Sequence, residues 1–258
     1  MTTEQVLVTG AARGIGAAVT RRLAADGATV VALDRCADDP ALEYHLGTRD
    51  QLEDVVAACG GGASAVVADV GDRRALAEAL AAHGPFDAVV CAAGVVWGGP
   101  PVWETPAGVW ESLLAANTTG VLNTAAVTVP AMLAAPPPRS GRFVAVASAA
   151  GTRGLPGMGG YSAAKHAVVG LVRSMAADLA DSGVTANAVA PGSVDTDILA
   201  ASAAVYDLAS PEEFARHHLS GRLLHATEIA EAVAWLCSPA ASGVTGAVVP
   251  VDAGMTAT

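Results

Sequence analysis

Seven short runs of consecutive apolar, largely β-branched residues recur along the chain: Gln5 to Thr9, Ala28 to Asp34, Ser64 to Asp69, Phe86 to Cys91, Arg142 to Ser148, Val184 to Ala190 and Ala247 to Val251. Alanine-rich stretches with helical spacing separate them. Strands alternating with helices predict a parallel sheet. Most of the runs are apolar at successive rather than alternate positions, as in sheets covered by helices on both faces. The pattern therefore predicts an α/β fold, a doubly wound seven-stranded parallel sheet in one domain over 1–258. There is no repeat at fixed period; Pro136 to Pro138 and the glycine-rich Gly151 to Gly160 read as loops within that domain.

Two connections exceed their neighbours. Between Asp34 and Ser64 lie 29 residues, where a loop, a mean helix and a second loop need roughly 15 to 24. The other joins Ala190 to a helix opening near Thr227 and holds Pro191, Gly192, Pro211, His217 and His218. Long segments beyond the carboxyl ends of such strands carry ligand lids. A substrate lid is expected over 192–225, and its alanine- and leucine-rich part from Ile198 to Leu208 points to an apolar substrate.

Composition narrows the partners. Of the 258 residues 52% are hydrophobic and 15% charged, against roughly 25% charged in an ordinary domain, which favours subunit contacts and an oligomer. Fourteen basic against 25 acidic residues give a net charge of -11, which repels phosphate backbones and anionic lipid, so neither nucleic acid nor membrane is an expected partner. Residues 112–138 carry no charge, yet Asn117, Asn123, Thr124, Thr128 and Pro130 suit a buried helix rather than a span. The chain runs into its first strand with no basic and apolar leader, so no signal peptide is expected. Cys36, Cys59, Cys91 and Cys237 lack metal spacing and read as free thiols of a reducing cytoplasm. His217-His218 lacks a carboxylate or cysteine at ligand spacing, so a mobile lid surface is expected and no metal site.

The first predicted strand ends in Thr9-Gly10-Ala11-Ala12-Arg13-Gly14-Ile15-Gly16 and leads into a helix. Backbone N–H groups at such a turn approach a pyrophosphate, and the helix dipole favours its charge. Eighteen residues on, at the end of the second strand, Asp34 can accept hydrogen bonds from both hydroxyls of an adenosine ribose and would repel a 2′-phosphate. NAD is therefore expected, NADP being the lesser alternative because Arg13 or Arg35 could hold a 2′-phosphate or simply be solvated charges.

Taken with Asn117, Ser148 and Tyr161-Ser162-Ala163-Ala164-Lys165, this turn resembles the short-chain dehydrogenase/reductase family, single-domain type. The resemblance spans the chain and includes Asp69-Val70, Ala92-Ala93-Gly94, Pro191-Gly192-Ser193-Val194-Asp195-Thr196 and Val251-Asp252-Ala253-Gly254. It implies a Rossmann-like seven-stranded sheet, a nicotinamide cofactor and a homodimer or homotetramer. It also implies a cofactor site of Gly10, Arg13, Gly14, Ile15, Gly16, Asp34, Asp69, Val70, Ala92, Gly94, Tyr161, Lys165, Pro191, Gly192, Val194 and Thr196, with Asp69 near the adenine and Thr196 near the carboxamide. Cys91-Ala92-Ala93-Gly94 departs from the family's Asn-Asn-Ala-Gly, which puts a structural hydrogen bond in doubt rather than the reaction.

The chemistry has its own logic. Tyr161 and Lys165, four apart, share a face if helical, where an ammonium stabilises a phenolate; alone, such a pair is commonly a packed ring beside a surface charge. A free tyrosine titrates near 10, so lysine and a positive nicotinamide must lower that value before the phenol can take an alcohol proton. Ser148, at a strand end, can hold the substrate oxygen or merely cap a turn. The family assigns the residue matching Asn117 to a water-mediated proton relay with the lysine; a satisfied core amide is the alternative. Trp97 and Met158 are candidate substrate walls. The expected reaction is NAD-dependent interconversion of an alcohol with its ketone or aldehyde. An NADPH-dependent ketone or 3-oxoacyl reductase, or a non-catalytic nucleotide sensor, are the rivals. Finally, the surplus segment with Tyr44-His45-Leu46-Gly47-Thr48-Arg49 is similar to the insertion of the mycofactocin-associated branch, whose members hold NAD so tightly that an external redox carrier must reoxidise it. An ordinary surface insertion is the other reading.

Overall fold

The computed structural model describes residues 4–257. Seven parallel strands, β1 (Gln5–Thr9), β2 (Thr29–Asp34), β3 (Ala63–Val67), β4 (Ala88–Cys91), β5 (Arg142–Val146), β6 (Thr185–Pro191) and β7 (Val248–Val251), form one sheet in the order β3-β2-β1-β4-β5-β6-β7. This is the expected Rossmann-like, doubly wound sheet. The chain reverses its winding between β1 and β4, which pair with Val6 beside Ala88 and Thr9 beside Cys91. At that switch point the loops beyond the two carboxyl ends part and leave a crevice.

The consecutive apolar runs are explained by two cores. Because side chains alternate across a strand, Val6, Val8, Val30 and Val90 pack with Val19 and Leu23 of α1 (Gly14–Ala25) and Ile229, Val233 and Leu236 of α8 (Ala226–Cys237). Leu7, Val31, Val89 and Phe143 face the other way. They pack with Leu76 and Leu80 of α3 (Arg73–Leu80), Val121 of α5 (Gly120–Ala134) and Val168 and Val172 of α6 (Gly159–Asp178).

The uncharged 112–138 stretch holds the end of α4 (Ala107–Leu114), a π-helical turn (Ala115–Thr119) and α5, with Asn117, Asn123 and Thr124 buried. Among the described residues no helix is long and apolar enough to cross a membrane. Both long connections lie beyond carboxyl strand ends. The first runs irregularly until α2 (Arg49–Ala57), whose Thr48 and Gln51 form a reciprocal cap. The second contains α7 (Asp197–Val205) and a 3-10 segment (Pro211–His217). Two strands end earlier than expected. β3 stops at Val67 because its Asp34 partner is the last residue of β2; Asp69 instead turns back, its Oδ1 accepting from Gly71 N at 2.7 Å. β5 stops at Val146, and Ser148 caps a turn by accepting from Ala150 N at 3.1 Å.

Candidate active site

A cleft of about 640 Å³ opens along the carboxyl edge of the sheet. Its floor is the β1–α1 turn. Gly10 has φ +69°, and a Cβ there would lie 2.6 Å from Ala93 Cα; one on Gly16 would lie 2.0 Å from Gly10 O. Only glycine lets the turn lie this close to β4 and place the unpaired first N–H groups of α1 against the cleft. Gly14, Ile15 and Arg13 also line it. Thr9 Oγ1 accepts from Ala93 N at 3.3 Å, tying the end of β1 to the loop after β4.

Asp34 stands at the tip of β2. Its two oxygens accept from Ala12 N at 3.0 Å and Cys36 N at 3.1 Å. Each oxygen keeps a lone pair for a ribose hydroxyl. The neighbouring guanidiniums are already committed. Arg13 pairs with Asp197 at 2.9 Å, while Arg35 lies 3.3 Å from Asp39 and donates to Asp38 O at 2.8 Å. A glycine-floored groove with a free N–H cluster beside a carboxylate fits the pyrophosphate and ribose of a dinucleotide.

The surplus segment crosses this end as a strap. Asp38 accepts from Leu46 N at 2.7 Å, and Tyr44 Oη accepts from Val96 N at 2.8 Å, beyond the end of β4. Burial among Leu42, Val95, Val109 and Leu113 pushes the Tyr44 phenol up to about 12. Leu46 and Gly47 reach the cleft wall, where a Cβ on Gly47 would lie 3.3 Å from Asp34 Oδ1. Trp97 packs against this same cluster rather than on the cleft wall, contrary to expectation, because the strap covers the start of the loop after β4.

At the far end Asn117, Ser148, Tyr161 and Lys165 all reach the cleft. Asn117 sits in the π turn, which frees Leu113 O to accept from its Nδ2 at 2.9 Å; Nδ2 also reaches Val95 O at 2.9 Å. Helical spacing on α6 places Lys165 Nζ 5.7 Å from the centre of the Tyr161 ring, where it donates to Val146 O at 2.9 Å. A Cβ on Gly94 would lie 2.7 Å from Asn117 Oδ1 and 3.4 Å from Lys165 Nζ, so a bare backbone is needed between them. Burial lowers the Lys165 pKa to about 8 and raises that of Tyr161, with the Ser148 hydroxyl opposing the rise. The expected depression of the phenol by the lysine is absent in the protein alone, where the Ser148 hydroxyl is what opposes burial.

Asp69, Val70, Ala92, Pro191, Gly192, Val194 and Thr196 line the cleft between these ends, and Met158 lies on the wall at its far end. Tyr206, Phe214, Arg216 and His217 of the expected lid line that end too, though the sequence did not single them out as cleft residues, and Arg153, Leu155 and Met255 lie outside that lid. The lid is built around Tyr206 and Phe214, ring centroids 5.8 Å apart edge to face, and Tyr206 Oη donates to Pro156 O at 2.7 Å. The histidine pair splits. His217 is exposed, whereas His218 is buried, accepting from Ser193 N at 3.0 Å on Nε2 and lying 2.6 Å from Arg222 O through Nδ1. It joins the lid to the β6 loop and is not a mobile surface residue.

A family model described as enoyl-(acyl carrier protein) reductase matches residues 10–256. The chain is 39% identical to the cis-4-hydroxycyclohexanecarboxylate dehydrogenase of Sinomonas cyclohexanicum, over 97% of this chain and 96% of that one. It is 35% identical to the (-)-trans-carveol dehydrogenase of Rhodococcus erythropolis, with the same 97% and 96% covered. Among solved structures, carveol dehydrogenase from Mycobacterium avium in complex with NAD superposes with a TM-score of 0.92 at 30% identity, covering 99% of this chain and 98% of that one. A putative 2-deoxy-D-gluconate 3-dehydrogenase from Agrobacterium tumefaciens with bound NADP superposes with a TM-score of 0.83 at 33% identity, covering 99% and 97%. The chain belongs to the short-chain dehydrogenase/reductase family, nicotinamide-dependent oxidoreductases acting on CH–OH groups.

Proposed function

We propose that the protein is an NAD-dependent dehydrogenase of alicyclic secondary alcohols, with Tyr161 as the general base. The observation that carries this is the meeting of Tyr161, Ser148, Lys165 and Asn117 at one end of a cleft whose other end presents Asp34. Bound NAD supplies the hydride acceptor. Ser148 holds the carbinol oxygen, Tyr161 takes its proton, and Lys165 stabilises the phenolate while Asn117 passes the proton on through water. The two relatives of 39% and 35% identity, which by name act on six-membered-ring alcohols, support the substrate class.

NAD is preferred over NADP because a 2′-phosphate would meet the Asp34 carboxylate, with Gly47 packed beside it and both nearby arginines engaged by carboxylates. The strap supports slow exchange of NAD and reoxidation by an external redox carrier, as it must lose the Tyr44–Val96 hydrogen bond to open. Exposed Trp110, Leu122, Leu133 and Trp235 support a homodimer or homotetramer, and four unpaired cysteines a cytoplasmic location.

The test supplies cyclohexanol derivatives to protein purified without added cofactor. NAD should be released on denaturation, and alcohol-dependent reduction of an artificial dye should exceed reduction of free NAD. Faster turnover with NADP than with NAD would overturn the cofactor assignment. Empty sites with brisk reduction of added NAD would overturn slow exchange, and a monomer by light scattering would overturn the oligomer.

A further inference from the structure

The lid end of the cleft carries charge that alcohol oxidation does not require. Arg153, from the glycine-rich segment before α6, and Arg216 and His217, from the end of the lid's 3-10 segment, meet Met255 there. The same four residues line an adjoining cavity of about 280 Å³ together with His218 and Leu219, and no acidic residue lines it. Two distant stretches of a chain with net charge -11 thus bring two guanidiniums and an imidazole to one mouth, which a third closes with Met255.

Their existing contacts leave that charge available. Arg153 Nη1 donates to Met255 O at 2.9 Å, and among the described residues no carboxylate pairs with it. Arg216 Nη1 is 3.8 Å from Glu213, a loose pair, while the other Glu213 oxygen accepts from Ala209 N at 2.9 Å. Arg216 Nε lies 3.5 Å from His217 Nε2. The acidic residues lining the main cleft are Asp34, Asp69 and Asp197, the first two at the cofactor end and the last paired with Arg13. With only the loose Glu213 pair to offset them, the two guanidiniums repel, and a bound anion relieves that repulsion.

Leu155, Met158, Tyr206 and Phe214 give the same cleft an apolar wall beside these guanidiniums. One cleft thus holds hydroxyl-handling groups, an apolar wall and two guanidiniums. We infer that the substrate is a hydroxy acid: its carbinol sits at Ser148 and Tyr161, its ring lies on the apolar wall, and its carboxylate is held by Arg153 and Arg216. This rests on the alcohol-dehydrogenase reading and adds the anionic group to it.

The test separates the two. Calorimetry on NAD-loaded protein compares cyclohexanecarboxylate with cyclohexanecarboxamide, which has the same shape without the charge. Charge-assisted bonds predict that the carboxylate binds about tenfold more tightly. The preference should shrink in 0.5 M salt, roughly a 4 Å screening length, and vanish in the Arg153→Gln/Arg216→Gln double variant. Arg153→Lys, which keeps the charge, should retain part of it. Equal binding of the two probes by the wild type, or a preference that survives in the double variant, overturns the anion site. In parallel, 4-hydroxycyclohexanecarboxylate is offered for turnover. Selective carboxylate binding without any oxidation would overturn the dehydrogenase reading and leave the anion site standing.

Discussion

Replacing Lys165 by methionine should stabilise the fold at neutral pH while abolishing turnover. The ammonium is buried with no carboxylate beside it, and its bond is to Val146 O. Burial lowers its pKa from the ordinary 10.5 to about 8. At about 1.4 kcal/mol per tenfold change in proton affinity, holding the proton below pH 8 costs the fold on the order of 3 kcal/mol. Methionine has similar volume and no charge, but leaves the Val146 carbonyl without its side-chain donor, a loss of about 1 kcal/mol. The expected net gain at pH 7 is about 2 kcal/mol, or about 4–8 °C in Tm for a chain of this size. The sign with pH follows from the lowered value. Between pH 8 and 10.5 the folded wild type holds fewer protons than the unfolded chain, so its stability rises and the variant's advantage disappears. The buried Cys237 thiol, pushed up to about 12, sheds stability above pH 9 in both proteins and cancels in the difference, whereas Cys91, also pushed up to about 12 but eased by Lys165, sheds more in the variant and closes the gap further. Thermal unfolding of cofactor-free protein at matched concentration, at pH 7 and pH 10, measures the gap. A variant less stable than wild type at pH 7, or a gap that does not change with pH, would refute the reasoning.

Asp34→Asn keeps a side-chain acceptor but removes the charge facing a 2′-phosphate, so the ratio of kcat/KM for NADP to that for NAD should rise at least about tenfold; an unchanged ratio in steady-state assays defeats the assignment. Tyr44→Phe strips the acceptor from Val96 N, and a loss of about 1–1.5 kcal/mol should speed NADH release about five- to tenfold in a fluorescence chase. Unaltered release would show that the strap does not hold the cofactor. Gly94→Ala introduces a Cβ 2.7 Å from Asn117 Oδ1 and 3.4 Å from Lys165 Nζ, and turnover should fall at least about tenfold with the circular dichroism spectrum retained; normal turnover would mean that this contact does not order the site.

Much of this was legible because it is local. Strands buried on both faces read as unbroken apolar runs, and all seven were found with ends shifted by at most a few residues. The shifts arise where pairing, not composition, decides: β3 is an edge strand whose Val67 is exposed, although Val66-Val67 looks like any core run. The glycine turn, Asp34 and the Tyr161–Lys165 spacing are legible for the same reason, each resting on contacts within one turn or one strand end. Trp97 misled because its place depends on a strap some fifty residues earlier in the chain, and Tyr44 bonding Val96 N is a contact across 52 positions. His218 misled similarly, since nothing in its neighbourhood reveals that Ser193 N would point at it. The meeting of Arg153, Arg216 and Met255 depends on the path of the lid and could not be read from spacing at all.

In the proposed reaction Tyr161 takes the alcohol proton as hydride leaves the carbinol carbon. Tyr161→Phe removes the phenolic oxygen from a half-buried ring and nothing else. Single-turnover formation of NADH, followed by absorbance after mixing NAD-loaded protein with a cyclohexanol derivative, tests it most directly. The expected result is a rate lower by roughly a hundred- to ten-thousandfold with NAD still bound, whereas a rate within a few-fold of wild type would contradict the account.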